Sequence, residues 1–279
     1  MRKYAVLGPC GTFSEEAVRL YCESDIELLV TENIPDLFAM VESGQVSDGL
    51  VPLENSTTGL IAITMECLAA SSLKICGAIE IPIKQCVLAN GSYEPAEIEI
   101  LISQPVALEQ CRNFIKANLK GVRTEITDST ARAAQLVQNE TRKAAAIGSE
   151  QLGRLYGLQI IDSNIQDGLN NTRFIHVAKK ASSLGDIQKS SLILSITDNV
   201  GALYNLLGVF SRGNLNLSKI ESRTAASLED YIFYIEVEQG KDNIKMELFL
   251  PELEPYCNWV KYLGSYAQRK INDINSCHS

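Results

Sequence analysis

Histidine is nearly missing from this chain. There are two in 279 residues, His176 and His278, beside a single tryptophan, Trp259. A multi-histidine metal site cannot be assembled from that stock, and a Ser-His-Asp or Cys-His centre would have to use His176. His176 lies within the apolar run Phe174-Ile175-His176-Val177-Ala178, where a strand residue with a satisfied ring is expected. No two of the eight cysteines stand in a C-x-x-C spacing, which removes zinc ribbons and thioredoxin-type redox pairs. Most of them sit in apolar runs and read as small core residues in a reducing cytosol. No segment has the length of a membrane span, and Tyr4 to Leu7 before Gly8-Pro9 is too short for a signal peptide's apolar stretch. The expectation is a soluble cytoplasmic protein. Positive charge is also scarce, 25 Lys and Arg against 34 Asp and Glu, a net −9. That balance argues against nucleic acid and anionic membrane as partners. With neither a Walker loop nor a G-x-G-x-x-G fingerprint, nucleotide binding is not expected.

What is present is an ordinary globular mixture, 46% hydrophobic and 21% charged, long enough for about two domains. Over the first 180 residues short apolar runs alternate with helical patterns. Tyr4-Leu7, Glu27-Val30, Gly49-Leu53 and Ile75-Ile83 read as strands, with helices from Ser14, which can cap, from Pro35, and over Gly59 to Ala70. A second lobe is expected from strands Cys86-Ala89, Ile98-Ile102, Val122-Ile126 and Ala144-Ile147. Its helices are Pro105-Asn118, Ser129-Gln138 and one ending near Tyr156-Gly157. Strands within about 158 to 178 are expected to return to the first lobe. The alternation implies α/β lobes with mainly parallel sheets, whose ligands sit beyond the strand carboxyl ends. Ala181 to Ser190 reads as a linker. Beyond it come strands Leu192-Thr197, Leu215-Ser222, Tyr231-Val237 and Trp259-Leu263, with helices Gly201-Ser211 and about Asp242 to Leu253. That order, βαββαβ, is a ferredoxin-like unit, and the polar tail from Ala267 is expected to fray.

Three separated segments carry the candidate chemistry. Gly8-Pro9-Cys10-Gly11-Thr12-Phe13-Ser14-Glu15 leaves a strand and opens a helix, whose free N–H groups attract anions. Glu54-Asn55-Ser56-Thr57-Thr58-Gly59 ends a buried strand, where short polar side chains either converge on a ligand or cap a helix. Thr172-Arg173-Phe174, preceded by Gln166-Asp167 and Asn170-Asn171, puts a hydroxyl, a permanent cation and a ring at a strand start. A threonine hydroxyl can pass a proton to a departing oxygen, an arginine can grip a carboxylate in two places, and a phenylalanine offers a ring face. Strand alternation sets a limit, because Thr172 and Phe174 share a face that Arg173 need not. Together the segments suggest a site for a small organic acid, with neither metal nor organic cofactor.

The first and third of these segments, with Val51-Pro52-Leu53-Glu54-Asn55-Ser56, Ser129-Thr130-Ala131, Gly201-Ala202-Leu203-Tyr204, Asn216 through Arg223 and Leu263-Gly264-Ser265-Tyr266, stand in the order of one family. Over nearly its whole length the chain resembles prephenate dehydratase with the family's C-terminal ACT regulatory domain. The resemblance implies a two-lobed, periplasmic-binding-protein-like α/β catalytic domain over 1–180, with lobe one about 1–78 and 158–180 and lobe two about 79–157. A linker over 181–189 and a ferredoxin-like βαββαβ ACT domain over 190–267 follow. It implies conversion of prephenate to phenylpyruvate, water and carbon dioxide on the route to phenylalanine, with no cofactor. Thr172 is then the essential hydroxyl and Arg173 the carboxylate clamp. Thr12, Phe13, Ser14, Asn55 and Ser56 line the cleft, and Phe174 packs on the substrate ring. Feedback inhibition by L-phenylalanine is expected between two subunits, near Gly201, Ala202 and Leu203 and near Glu221, Ser222 and Arg223, which implies a homodimer or homotetramer. Two departures stand out. Gln104 replaces the histidine many members carry after Ser103, and Thr224 replaces the proline usual after Glu-Ser-Arg. Arogenate as substrate, decarboxylation without loss of the hydroxyl, and a non-catalytic small-acid binding protein remain alternative readings.

Overall fold

A computed structural model describes residues 2–22, 25–180, 186–196, 199–224, 231–238 and 246–271. Residues 181–185 of the expected linker, the start of the helix expected from Asp242, and His278 lie outside the described residues. The chain opens with β1 (Arg2–Leu7), α1 (Phe13–Tyr21), β2 (Ile26–Thr31), α2 (Ile34–Ser43), β3 (Asp48–Asn55), β4 (Gly59–Leu60), α3 (Ala62–Ala70) and β5 (Lys74–Pro82). Local chemistry sets the boundaries. The Asn33 side chain accepts the Asp36 N–H at 2.8 Å to cap α2, and Gly44 ends that helix at φ 81°. Ser14 does not cap α1. Thr12 holds the cap position, and its hydroxyl donates to the Leu7 carbonyl at 3.2 Å instead.

The second lobe runs through β6 (Cys86–Ala89), β7 (Ile100–Ser103), α4 (Pro105–Gln110), α5 (Arg112–Asn118), β8 (Arg123–Ile126), α6 (Thr130–Gln138), β9 (Ala144–Gly148), α7 (Glu150–Tyr156) and β10 (Gln159–Ser163). The chain then recrosses as β11 (Asn171–Ala178). The last unit holds β12 (Lys189–Ile196), α8 (Ala202–Arg212), β13 (Leu217–Thr224), β14 (Tyr231–Glu238), α9 (Met246–Leu253) and β15 (Cys257–Tyr266), and β16 (Gln268–Lys270) follows. Strand order is β16-β5-β11-β3-β1-β2 in the first sheet, with β4 on β3, β10-β6-β9-β7-β8 in the second, and β13-β14-β12-β15 in the third. The third is the ferredoxin-like order.

Several expectations are corrected. The first two sheets are mixed, because β11 runs antiparallel between β3 and β5, and β6 antiparallel to both β9 and β10. Only β11 returns to the first lobe. β10 stays with the second, pairing antiparallel with β6, and its short run Gln159-Ile160-Ile161-Asp162-Ser163 carries no pattern that tells one sheet edge from another. All of β5 to Pro82 belongs to the first sheet, so the crossing lies beyond residue 79. The helix expected over Pro105-Asn118 breaks at Cys111 (φ −117°, ψ 19°), which is fully buried. The tail does not fray at once: Gln268–Lys270 adds a parallel strand to β5.

The third sheet uses both faces. One packs on α8 and α9 through Leu192, Leu194, Leu206, Phe210, Ile235 and Phe249. The other places Ile193, Tyr234, Leu263 and Tyr266 in one core with Val51, Leu53, Met65 and Ile75 of the first lobe. Each such fully buried aliphatic side chain contributes about 1.5–3 kcal/mol. Gly264 (φ 136°) allows the contact, since a Cβ there would lie 2.5 Å from the Ile75 carbonyl oxygen. No described helix is long and apolar enough to cross a membrane.

Candidate active site between the lobes

The carboxyl ends of β1 and β3 and the amino end of the antiparallel β11 meet at one edge of the first sheet. Register puts Thr172 directly opposite Asn55, two positions read separately from sequence and 117 residues apart. The Asn55 carbonyl oxygen Oδ1 accepts the N–H groups of Thr57 (2.9 Å) and Thr58 (3.3 Å), which fixes the amide's orientation. Both hydrogens on Nδ2 are then committed, one to Asn170 Oδ1 at 2.6 Å and one to Thr172 Oγ1 at 2.9 Å. Because its oxygen accepts from Asn55, the Thr172 hydroxyl keeps its own hydrogen off Asn55 and free to be given elsewhere, and accepting a bond strengthens the one it gives. Thr172 is 9% exposed. Ser56 ties the loop across: its N–H donates to the Asn171 carbonyl at 2.9 Å, and its Oγ accepts the Asn171 N–H at 3.0 Å.

The Gly8–Ser14 loop closes the same edge. Gly11 turns at φ 83°, its N–H donates to Glu15 Oε2 at 2.8 Å, and its carbonyl accepts the Ser149 hydroxyl of the second lobe at 3.0 Å. Burial alone would raise the Glu15 carboxyl; the Gly11 N–H and Arg19 outweigh it and hold the group low. Phe13 is half-buried against the cluster of Tyr4, Val18 and Tyr21, and Ser14 is buried in the first turn of α1. A cavity of about 480 Å³ opens between the lobes beside this loop, lined by Gly8, Pro9, Thr31, Glu32, Ser129, Arg132 and Tyr156 among others. It lies at the β1–β2 end of the cleft, and Thr172 does not line it. The Ser149–Gly11 contact bridges the lobes nearby.

Two residues stand away from their expected places. Arg173 is 4% exposed and turns to the opposite face of the sheet. Its guanidinium forks onto Glu236 of β14, with Nη1 at 2.8 Å from Oε2, and Nη2 also lies 2.8 Å from Glu54 Oε1. Lys189 reaches Glu236 at 2.8 Å, and Lys219 of β13 pairs with Glu54. Burial would raise the Glu236 carboxyl, yet Arg173 and Lys189 keep it below its usual range. Arg173 is therefore committed within the protein and is no free clamp. Alternation past Thr172 is the physical reason. Phe174 is 2% exposed and packs with Tyr4, Val6, Val18, Leu50 and Ile79, so its ring belongs to the core beneath α1 and not to the cleft.

The remaining motif residues make structural contacts of their own. Gln166 Oε1 accepts the Gln85 N–H at 3.0 Å, and Asp167 accepts the Asn113 N–H at 3.0 Å. Ser129 caps α6 by accepting the Arg132 N–H at 3.1 Å. His176 is satisfied in the core, between Tyr21 OH (3.2 Å) and Asp48 Oδ1 (2.6 Å). In the third sheet Gly201 is left-handed (φ 82°) ahead of Ala202 and Leu203 in α8. Glu221 and Arg223 lie 3.7 Å apart, Ser222 is exposed between them, and Arg223 donates to the Leu60 carbonyl at 3.2 Å. Sequence reading passed over Glu54, Lys219 and Glu236 as participants. The signal for Glu236 was there: it is a lone charge inside the apolar run Tyr231-Ile232-Phe233-Tyr234-Ile235-Glu236-Val237.

The family model described as prephenate dehydratase matches residues 4–182. The chain is similar to a prephenate dehydratase of Methanocaldococcus jannaschii, 35% identical over 268 residues, covering 92% of this chain and 95% of the relative. It is also similar to a bifunctional chorismate mutase/prephenate dehydratase of Aquifex aeolicus, 35% identical and covering 97% of this chain and 75% of the relative. Among solved structures, that of a prephenate dehydratase from Arthrobacter aurescens in complex with L-Phe superposes with TM-score 0.86 at 27% identity, covering 95% of this chain and 89% of that one.

Proposed function

This chain belongs to the prephenate dehydratase family, and from that premise we propose that Thr172 is the hydroxyl that expels the substrate's ring oxygen. The reaction takes prephenate and one proton to phenylpyruvate, water and carbon dioxide. The ring C–O bond breaks as its oxygen gains a proton, and the C–C bond to the ring carboxylate breaks with its electron pair entering the ring. Aromatisation supplies the driving force, so the protein has to place one acid and orient one carboxylate. The carrying observation is the Asn55 Nδ2 to Thr172 Oγ1 hydrogen bond of 2.9 Å, which aims the threonine's own proton away from Asn55. After donating, Thr172 regains a proton from solvent, and the net count of one proton consumed is kept. Asn55 is thus a positioning residue, and the Thr12–Ser14 turn and Ser56 shape the cleft around it.

The same reading makes the ferredoxin-like unit an ACT domain of a homodimer or larger homo-oligomer. L-Phenylalanine would bind near Gly201–Leu203 and Glu221–Arg223 and lower turnover. Support comes from the direct path between the units. Lys219 holds Glu54, next to Asn55, and Glu236 holds Arg173, next to Thr172. Incubation with prephenate and, separately, arogenate tests the reading, with products identified by mass and ultraviolet absorbance. Phenylpyruvate from prephenate is expected, at a rate that falls when millimolar L-phenylalanine is added. Phenylalanine from arogenate alone, or no product from either, sinks it.

A further inference from the structure

We propose that Asn170 is a further catalytic residue, whose side-chain N–H donates to the departing ring oxygen of prephenate alongside the Thr172 hydroxyl; this rests on the reading of Thr172 given above. Asn170 is 5% exposed, and its Nδ2 is a buried donor with no partner among the described residues. Its orientation follows from its neighbour. Asn55 presents N–H groups toward Asn170, because its own carbonyl oxygen is pinned by Thr57 and Thr58. Asn170 must therefore turn Oδ1 to Asn55, at 2.6 Å, which leaves Nδ2 facing the other way. The backbone is held as well, since the Asn170 carbonyl accepts the Ile83 N–H at 2.6 Å where the chain crosses between lobes.

Buried amide hydrogens are nearly always satisfied, so an orphan beside a reacting group points to a ligand atom that completes it. Asn170 Oδ1 and Thr172 Oγ1 share one nitrogen, which places the free Nδ2–H and the free O–H at the same sheet edge. A hydroxyl leaving group has two lone pairs. One can take the Thr172 proton while the other accepts from Asn170, whose fixed dipole stabilises the charge that builds on oxygen as the C–O bond stretches. Asn170 transfers no proton; the atom balance of the reaction is unchanged.

Asn170→Asp tests this in the full chain. Aspartate keeps the size and the acceptor for Asn55 but, ionised, has no hydrogen to give. Expected is a kcat on prephenate lower by about 100- to 1000-fold, as for loss of one oxyanion-hole donor. The added negative charge repels a dianion, so KM and the inhibition constant of a competitive inhibitor that keeps both carboxylates but lacks the ring hydroxyl should rise by the same factor, within roughly threefold of each other. A kcat within roughly threefold of wild type, with any loss confined to KM and inhibitor affinity, overturns the proposal and leaves Asn170 a structural residue. Should the aspartate variant fail to melt cooperatively, Asn170→Ala carries the same kcat criterion. Wild-type turnover in the same series separates the premises. No phenylpyruvate from the wild type removes the Thr172 reading and this one with it, whereas a product-forming wild type with an equally active variant removes this one alone.

Discussion

Thr172 and Arg173 are adjacent in sequence, and so are Asn55 and Glu54, yet the two sides of this strand pair do opposite work. On the cleft side, Thr172, Asn55 and Asn170 form a small neutral network with hydrogen-bonding capacity left over. On the other side, Arg173, Glu54, Glu236, Lys189 and Lys219 form a charged cluster whose central members are buried and tied to the third sheet. A site meant to meet a substrate keeps unspent donors. A joint between units pairs its charges, even though one nitrogen, Arg173 Nε, has no partner among the described residues, because an unpaired buried charge costs far more than an unpaired amide. Neighbouring residues can thus be wired to different parts of the molecule by nothing more than strand alternation.

The comparison breaks most visibly at Arg173. Arg173→Met leaves the buried Glu236 with Lys189 and the Tyr234 hydroxyl but without its forked cation, and should destabilise the protein by about 3–5 kcal/mol, read from denaturant melts. Adding Glu236→Leu should restore much of that loss, since removing both charges is far milder than removing one. If Arg173→Met instead melts like wild type and only raises KM, the guanidinium serves substrate after all. On the cleft side, Thr172→Val should leave stability within about 1 kcal/mol while lowering kcat at least about a hundredfold, the scale of general-acid help. Unchanged phenylpyruvate production by that variant would falsify the assignment of Thr172.

A subtler variant probes the joint. Lys219→Met removes β13's tie to Glu54, which keeps Arg173, without touching Thr172, so basal turnover should persist while inhibition by L-phenylalanine weakens by some part of the about 5- to 150-fold range typical of coupling. Unaltered inhibition curves would place the coupling elsewhere. The smallest effect lies at the far end of β11. There the Asp48 carboxyl is pushed up by burial but pulled well below its usual range by His176, Arg2 and Ser47. A depressed carboxyl contributes stability above its unfolded value of about 4 and loses it as pH falls toward the folded one. Wild-type melting temperature should therefore drop below about pH 4, and Asp48→Asn should flatten that slope while lowering the melting point at neutral pH. A slope identical in both proteins would show that other carboxylates govern acid unfolding.

How much of this was legible beforehand follows from the range of each signal. The two lobes and the βαββαβ unit were readable, as were Asn55 and Thr172 as candidate positions, because periodicity and motif order are local or collinear properties. The mixed strand directions were not. Whether Gln159–Ser163 or Gln268–Lys270 joins one sheet or another depends on which edge is open, and no local pattern carries that. Asn170 was visible as a polar residue before the motif, but its role needed the Asn55 amide in place to show which of its atoms is left over.

Sequence by itself settled what kind of molecule this is: an acidic α/β chain with almost no histidine, carrying a family's motifs in their order. Tertiary structure decided where each side chain of those motifs is spent. Alternation says only that Arg173 and Thr172 face apart; that Arg173 meets Glu236, 63 residues on, required the third sheet to be laid against the first. Facing directions are set by backbone geometry within a strand, but partners are set by packing between sheets, which no stretch of residues contains alone.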